Sequence, residues 1–326
     1  MAIEKRRLGK TDIEITPIGL GCWQFGGRSG LLTVWNTPPQ EQIDQIVKRA
    51  LDGGISWFDT AENYGLGASE RALCQALGDA GKKAGDVVVA TKWWPTNPRM
   101  YFPLPRTARS IPRTIGTRQS CLGSYPIDLF QIHFPWSISP IEAQMDQMAA
   151  LVKGGKIRSV GVCNFSAPQM RRAHAALAKH GIPLASNQVS LSLARRKREK
   201  AGVIQVANEL GVTVIAYSPL AQGLLTGRYH KDPESIKGLP LMRRTTVRRQ
   251  LEATRPLINA LDEIAQAHGR SAAEVALSWL VNFYGETVVA IPGATKASHV
   301  DQNVGALNLK LTPAEMKRLD DLSRGF

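Results

Sequence analysis

Along this chain, short apolar runs alternate with longer stretches whose apolar residues recur every three or four positions. The runs lie at 18–22, 56–59, 87–92, 127–133, 157–162, 186–189, 213–217 and 287–291. The helically spaced stretches lie at 39–52, 69–77, 108–122, 141–153, 168–179, 202–210, 255–268, 272–282 and 298–306. This spacing predicts eight strands alternating with helices, the pattern of βα units in a parallel sheet. Ser69-Glu70, Ser166 and the Ser271/Glu274 pair read as helix starts. Gly53-Gly54, Gly154-Gly155, Gly181 and Gly211 fall where helices should stop. No polar linker or fixed-period repeat divides the 326 residues, so residues 1–326 read as one domain.

Three of the predicted strands end in a polar side chain: Asp59, Lys92 and His133. Tyr64 lies in the loop beyond the first of them. In a (β/α)8 TIM barrel the carboxyl ends of the strands share one face, and the loops after them build the active site. Two long connections, 94–107 and 222–254, would rise over that face as substrate wall and cofactor lid.

The motifs DTAENYG, TKWWP, QIHFP, VGVCNFS and AYSPLAQGLL, in this order and spacing, resemble the aldo-keto reductase family. The resemblance runs from the RLGKT opening and GLGCWQFGG to IPGATKASHVDQN near the C-terminus, which is nearly the whole chain. It implies reduction of aldehydes or ketones by hydride from a nicotinamide cofactor. A carbonyl that accepts hydride becomes an alkoxide unless a proton arrives, so a general acid is needed near its oxygen. The resemblance gives that role to Tyr64, with Lys92 lowering the phenol's pKa, Asp59 holding the lysine and His133 aligning the carbonyl oxygen. Taken singly, each of the four has an ordinary structural explanation. Four such groups in the family's order are harder to explain that way.

There is no GxGxxG fingerprint after a strand, so a Rossmann domain is not expected. By resemblance, Asn164 and Gln188 bind the carboxamide and Tyr217 stacks on the nicotinamide. Ser218, Leu220, Gln222 and Gly223 match the segment that wraps the pyrophosphate, and Gln302 and Asn303 match adenine contacts. Two departures stand out. Cys163 replaces a serine near the carboxamide, introducing a thiol open to oxidation. His299 takes a place often held by an arginine that grips the 2′-phosphate, leaving Lys296 as the nearby cation. NADPH is favoured, with NADH possible. Trp23, Trp93 and Phe134 are expected to wall the substrate pocket, for an aromatic or medium-chain aldehyde.

The net charge of +14 raises the question of a polyanion partner. Its clusters, including RRKREK at 195–200, are scattered and lack interleaved aromatics, so they read as solvated surface, with no specific nucleic acid expected. No apolar stretch is long enough for a membrane helix and no secretory leader is visible, giving a cytoplasmic expectation for a monomer or homo-oligomer. The four cysteines have no zinc-site or disulfide spacing. A redox-sensing regulatory subunit that binds NADPH and turns over slowly is the alternative function.

Overall fold

A computed structural model of the chain describes residues 3–26, 37–96, 104–239 and 241–326. An antiparallel pair, β1 (Arg6–Arg7) and β2 (Glu14–Ile15), precedes eight parallel strands. These are β3 (Leu20–Gly21), β4 (Trp57–Asp59), β5 (Val88–Trp93), β6 (Leu129–Ile132), β7 (Ser159–Cys163), β8 (Leu184–Ser190), β9 (Thr213–Tyr217) and β10 (Val288–Ile291). Each pairs with the next in chain order. The ring closes where Gly19 N donates to Ala290 O (2.9 Å) and Ala290 N to Pro17 O (2.9 Å). Close approach is possible there because residue 19 is glycine: a Cβ would lie 2.3 Å from the Trp57 indole.

Around the barrel lie α1 (Gln40–Asp52), α2 (Ala68–Asp79), α3 (Ser110–Leu122), α4 (Ile141–Lys153), α5 (Ala167–Ala178), α6 (Lys197–Lys200) and α7 (Val203–Leu210). They are followed by α8 (Arg228–Lys231), α9 (Leu241–His268), α10 (Ala272–Phe283), α11 (Ala297–Leu307) and α12 (Pro313–Ser323). The strand and helix alternation is therefore the one read from the pattern, arranged as a (β/α)8 barrel. Ser166 and Ser271 cap their helices in capping boxes with Gln169 and Glu274. Ser69-Glu70 does not: α2 starts from Gly67, and both side chains turn inward. Ser69 Oγ donates to Cys22 O, while Glu70 receives Thr91 and pairs with Arg118.

The connection 222–254 is mostly helical rather than a loop. Pro256 suggests a helix start at 255, yet Val247, Leu251, Thr254, Ile258 and Leu261 carry the inward face of one helix through it. Pro256 lies on the exposed side, as does Glu252, whose carbonyl loses its helical donor there. From the connection 94–107, residues 97–103 lie outside the described residues, and Thr96 bridges Pro105.

The N-terminal hairpin seals one end of the barrel. Leu8, Ile13 and Ile15 pack against inward residues such as Trp57, Leu129, Ile215 and Val289. Gly9 N donates to Thr213 Oγ1 (2.7 Å) and Arg6 to Val288 O (2.8 Å), at the starts of β9 and β10. The lumen is thus filled where the strands begin and available for chemistry only where they end.

The RRKREK run is not simply solvated surface. Arg196 is buried, donating to Asp320 Oδ1 (2.5 Å), Ser323 Oγ (2.8 Å) and Glu199 (2.6 and 2.7 Å). Its guanidinium lies 5.2 Å from the Trp279 ring, so one side chain ties α6, α10 and α12 together. Arg196→Ala is expected to lower stability by about 3 kcal/mol, because Asp320 and Glu199 lose a buried cation. Urea unfolding at neutral pH measures this, and a loss below ~1 kcal/mol would show that the cluster does not hold α12. Among the described residues, no helix is long and apolar enough to cross a membrane.

Candidate active site

Strand alternation places the functional groups. On β5, Thr91 and Trp93 point outward, to Glu70 on α2 and Ser110 on α3, so Lys92 between them points into the lumen. Asp59 ends the neighbouring β4, and Tyr64 follows in the turn that enters α2. Lys92 Nζ donates to Asp59 Oδ1, to Thr60 O (2.9 Å) and to Tyr64 Oη (3.4 Å). The second Asp59 oxygen accepts from Gln188 Nε2 (2.9 Å) and Gln131 Nε2 (3.1 Å). Gln131 Oε1 in turn accepts the Cys163 thiol at 3.6 Å. Every donor of the buried ammonium has a partner. Because an ammonium only donates, the Tyr64 hydroxyl accepts from Lys92 and keeps its own hydrogen for the cleft.

Burial by itself would depress the Lys92 ammonium, but the Asp59 charge and hydrogen bond outweigh it and hold the pKa above the ordinary lysine value. Tyr64 behaves oppositely to the expectation from sequence. Burial raises the phenol more than Lys92 lowers it, and its pKa is pushed up to about 12. The phenol therefore stays protonated at neutral pH. Burial, followed by the Lys92 charge, drives His133 well below the ordinary imidazole value, so its ring is neutral. Burial also pushes the Cys163 thiol far up, with Sγ enclosed against Gln131. The expected oxidisable thiol is instead a protonated, sheltered one.

His133 follows β6 with its backbone N–H on Trp93 O (3.0 Å). Its ring meets Trp94 edge-on (centroids 4.8 Å), stacks near Phe134 (5.2 Å) and approaches Tyr64 (5.7 Å). Its Nδ1 has no hydrogen-bond partner.

These groups lie at the base of a cleft of about 770 Å³. Trp23 and Phe134 line it, as expected; Trp93 does not. Trp93 is fully buried, with its indole N–H on Ser110 Oγ (3.1 Å), because its parity on β5 is opposite to that of Lys92. Trp94, one residue past the strand, turns into the cleft in its place. Trp136, exposed nearby, stacks on Phe134 at 3.9 Å.

Asn164, Gln188 and Tyr217 sit together on the adjoining wall. Asn164, at φ +63°, donates to His133 O (3.2 Å) and accepts from Tyr217 Oη (3.0 Å). Beyond β9, Ser218, Ala221 and Gln222 hold left-handed φ of +51°, +49° and +60°, followed by Gly223 at +91°. Such clustering of strained backbone is a mark of functional loops. Ser218, Leu220, Gln222 and Gly223 all line the cleft, and Arg243 fixes the turn by donating to Gln222 O (2.7 Å) and Tyr229 Oη (2.9 Å). At the far end, Gln302 and Asn303 line the cleft, and the buried Asn303 Nδ2 lacks a partner. Lys296 stands exposed at the N-cap position of α11, without a side-chain capping bond, and is not part of the lining. Among the described residues, the cations that do line the cleft are Arg195, Arg228 and Arg243; Arg195 and Arg243 belong to basic clusters that read from sequence as solvated surface, and Arg228 carried no signal. Among the described lining residues, Asp59 is the only carboxylate and is already paired.

Residues 17–324 match the Aldo/keto reductase family. The chain belongs to that family. An uncharacterized oxidoreductase of Mycobacterium tuberculosis is 39% identical over 318 residues, covering 96% of this chain and 91% of the relative. The chloroplastic pyridoxal reductase of Arabidopsis thaliana is 33% identical over 328 residues, covering 97% and 85%. Among solved structures, a thermostable aldo-keto reductase in complex with the inhibitor epalrestat superposes with a TM-score of 0.76 at 30% identity, covering 98% of this chain and all of that one. The glycerol dehydrogenase of Gluconobacter oxydans gives 0.78 at 28% identity, covering 99% and 95%. This aldo/keto reductase is accordingly an oxidoreductase of the nicotinamide-dependent kind. Among its described residues, no cluster of His, Cys, Asp or Glu suits a metal ion.

Proposed function

We propose that this protein reduces aldehydes, flat aromatic ones foremost, with NADPH as hydride donor and Tyr64 as general acid. The observation that carries the reading is the Tyr64 hydroxyl, which accepts from Lys92 and so presents its hydrogen to the cleft. A carbonyl oxygen between Tyr64 and His133 would take that proton as charge develops on it. The neutral imidazole serves as a hydrogen-bond donor rather than a competing acid.

The cleft fits an extended dinucleotide, which supplies the hydride when bound. Asn164, Gln188 and Tyr217 would hold the nicotinamide end. In the left-handed turn from Ser218 to Gly223 the Ala221 and Gly223 N–H groups are taken by Ser218 O and Leu220 O, so the Ser218 and Gln222 side chains lining the cleft would meet the phosphate oxygens. Asn303, with its orphaned amide nitrogen, and Gln302 would face the adenine. Arg228 and Arg243 lining the cleft, with Lys296 at its edge, favour the additional phosphate of NADPH. The aromatic wall of Trp94 and Phe134, extended by Trp136, suits a planar substrate, and the similarity to a pyridoxal reductase points the same way.

The test is nicotinamide absorbance with NADPH or NADH against benzaldehyde, substituted benzaldehydes and aliphatic aldehydes. The expected result is kcat/KM at least about tenfold higher with NADPH, a difference of ~1.4 kcal/mol, and higher for aromatic than for aliphatic aldehydes. Arg228→Ala should narrow the cofactor ratio. Tight NADPH binding with no turnover on any carbonyl would sink the reductase reading, and equal use of both cofactors would sink the phosphate assignment.

A further inference from the structure

We propose that Glu62 and Arg106 form a clamp that sets the position of Trp94 and, through it, of His133, making them positioning residues for the carbonyl reduction proposed above, on which the catalytic part of this inference rests. The starting point is a gap in the sheet. β5 stops at Trp93, so Trp94 has no strand neighbour to take its backbone groups. Glu62 Oε2 accepts the Trp94 N–H (3.0 Å), and Arg106 donates to the Trp94 carbonyl (3.0 Å). The same guanidinium nitrogen reaches both Glu62 oxygens, at 3.0 and 3.1 Å. An ion pair between two side chains thus replaces the missing strand.

The pair is sheltered: the Arg106 and Glu62 side chains are 15% and 10% exposed. It is also tied into its surroundings on every side. Glu62 N donates to Lys92 O (3.2 Å), Arg106 N to Pro95 O (2.7 Å), and Ser137 Oγ to Arg106 O (2.8 Å). The last bond links the clamp to the segment that carries Phe134 and Trp136. Glu62 has no free oxygen to act as acid or base, since Arg106 engages both and Trp94 N–H shares one.

His133 needs such support because its own ring is not held by a hydrogen bond at Nδ1. Its orientation depends on the rings around it, chiefly Trp94 at 4.8 Å. Moving Trp94 would therefore move the imidazole that faces the carbonyl oxygen, and it would open the aromatic wall. The proposed cofactor contacts on the adjoining wall, at Gln188, Tyr217 and Ser218, make no bond to the clamp and would be untouched.

The experiment compares Arg106→Ala, the isosteric Glu62→Gln and the double variant, using benzaldehyde and NADPH. Each is also paired with Trp94→Phe, so that Trp94 fluorescence is obtained by difference. For both single variants the expected result is a fall in kcat/KM of about 10- to 100-fold, the scale of misplacing a reacting group, with NADPH affinity unchanged. Trp94 emission should shift to longer wavelength and become open to acrylamide quenching. Guanidinium ion should restore rate and emission in Arg106→Ala but not in the double variant, which lacks the carboxylate that would hold it. A purely structural role would not produce rescue confined to the variant that keeps Glu62. Wild-type rate and emission in both single variants would overturn the clamp, as would equal rescue of the double variant. If the wild-type protein reduces no aldehyde, the reductase reading fails by itself, and Trp94 emission still decides whether the clamp exists.

Discussion

Tyr64→Phe is expected to lower kcat for aldehyde reduction by about 10²- to 10⁴-fold, the usual range for a general acid, with NADPH binding nearly unchanged. The argument rests on hydrogen-bond direction. Lys92 donates to the phenol oxygen, and the remaining hydrogen has only the cleft to face. Phenylalanine keeps the ring contacts with Trp23 and His133 while removing the hydroxyl, and with it both the hydrogen that faces the cleft and the acceptor of one Lys92 bond. The pH dependence of the wild-type protein follows from the same environment. With the phenol pushed up to about 12 and His133 held well below the ordinary imidazole value, neither group titrates between about pH 7 and 9, so the chemical step should be flat there. The acid is lost only as pH rises through the phenol's pKa. Single-turnover decay of NADPH absorbance measures both effects. A Tyr64→Phe variant retaining more than about a tenth of the wild-type rate would sink the assignment of the acid.

Lys92→Met is expected to cost about 3–5 kcal/mol of stability in addition to activity. The methionine fills the volume, but Asp59 keeps a buried charge with no cation beside it, supported only by the amides of Gln131 and Gln188. Removing both charges, as Asp59→Asn with Lys92→Met, should recover much of the loss, because the cost lies in the unpaired carboxylate rather than in the missing bond. Denaturant unfolding of the two variants at neutral pH separates these terms. If the double variant were no more stable than Lys92→Met, the pair would not be compensating charges.

Much of this arrangement is legible in the sequence because barrel geometry is simple. A polar residue closing an apolar run falls at the carboxyl end of a strand, and Asp59, Lys92 and His133 all announce themselves that way. Parity is equally available: Trp93 follows an inward lysine and must therefore face the helices, so counting by two would have moved the pocket wall to Trp94. Gln131 carries the same signal, two residues before His133 in a run that is otherwise apolar apart from Asp128. Other features depend on contacts that no local pattern encodes. Arg196 looks like one of several surface cations until α10 and α12 fold against it, and Glu62 looks like a loop acid until Arg106 returns from 44 residues away. The first half of α9 is hidden by Pro256, whose usual effect as a helix breaker is absent because it faces water. The phenol's shift is similarly out of reach, since it is a contest between burial and a neighbouring charge, and only coordinates decide the winner.

The hairpin that packs Leu8, Ile13 and Ile15 into the start of the barrel has a kinetic consequence. It makes the lumen a dead end. In the proposed reduction, aldehyde, dinucleotide and alcohol would share the mouth at the carboxyl ends of the strands, and the guest whose reactive end lies deeper would arrive first and depart last. Order of addition is then a property of shape, and product-inhibition patterns report which guest lies deeper.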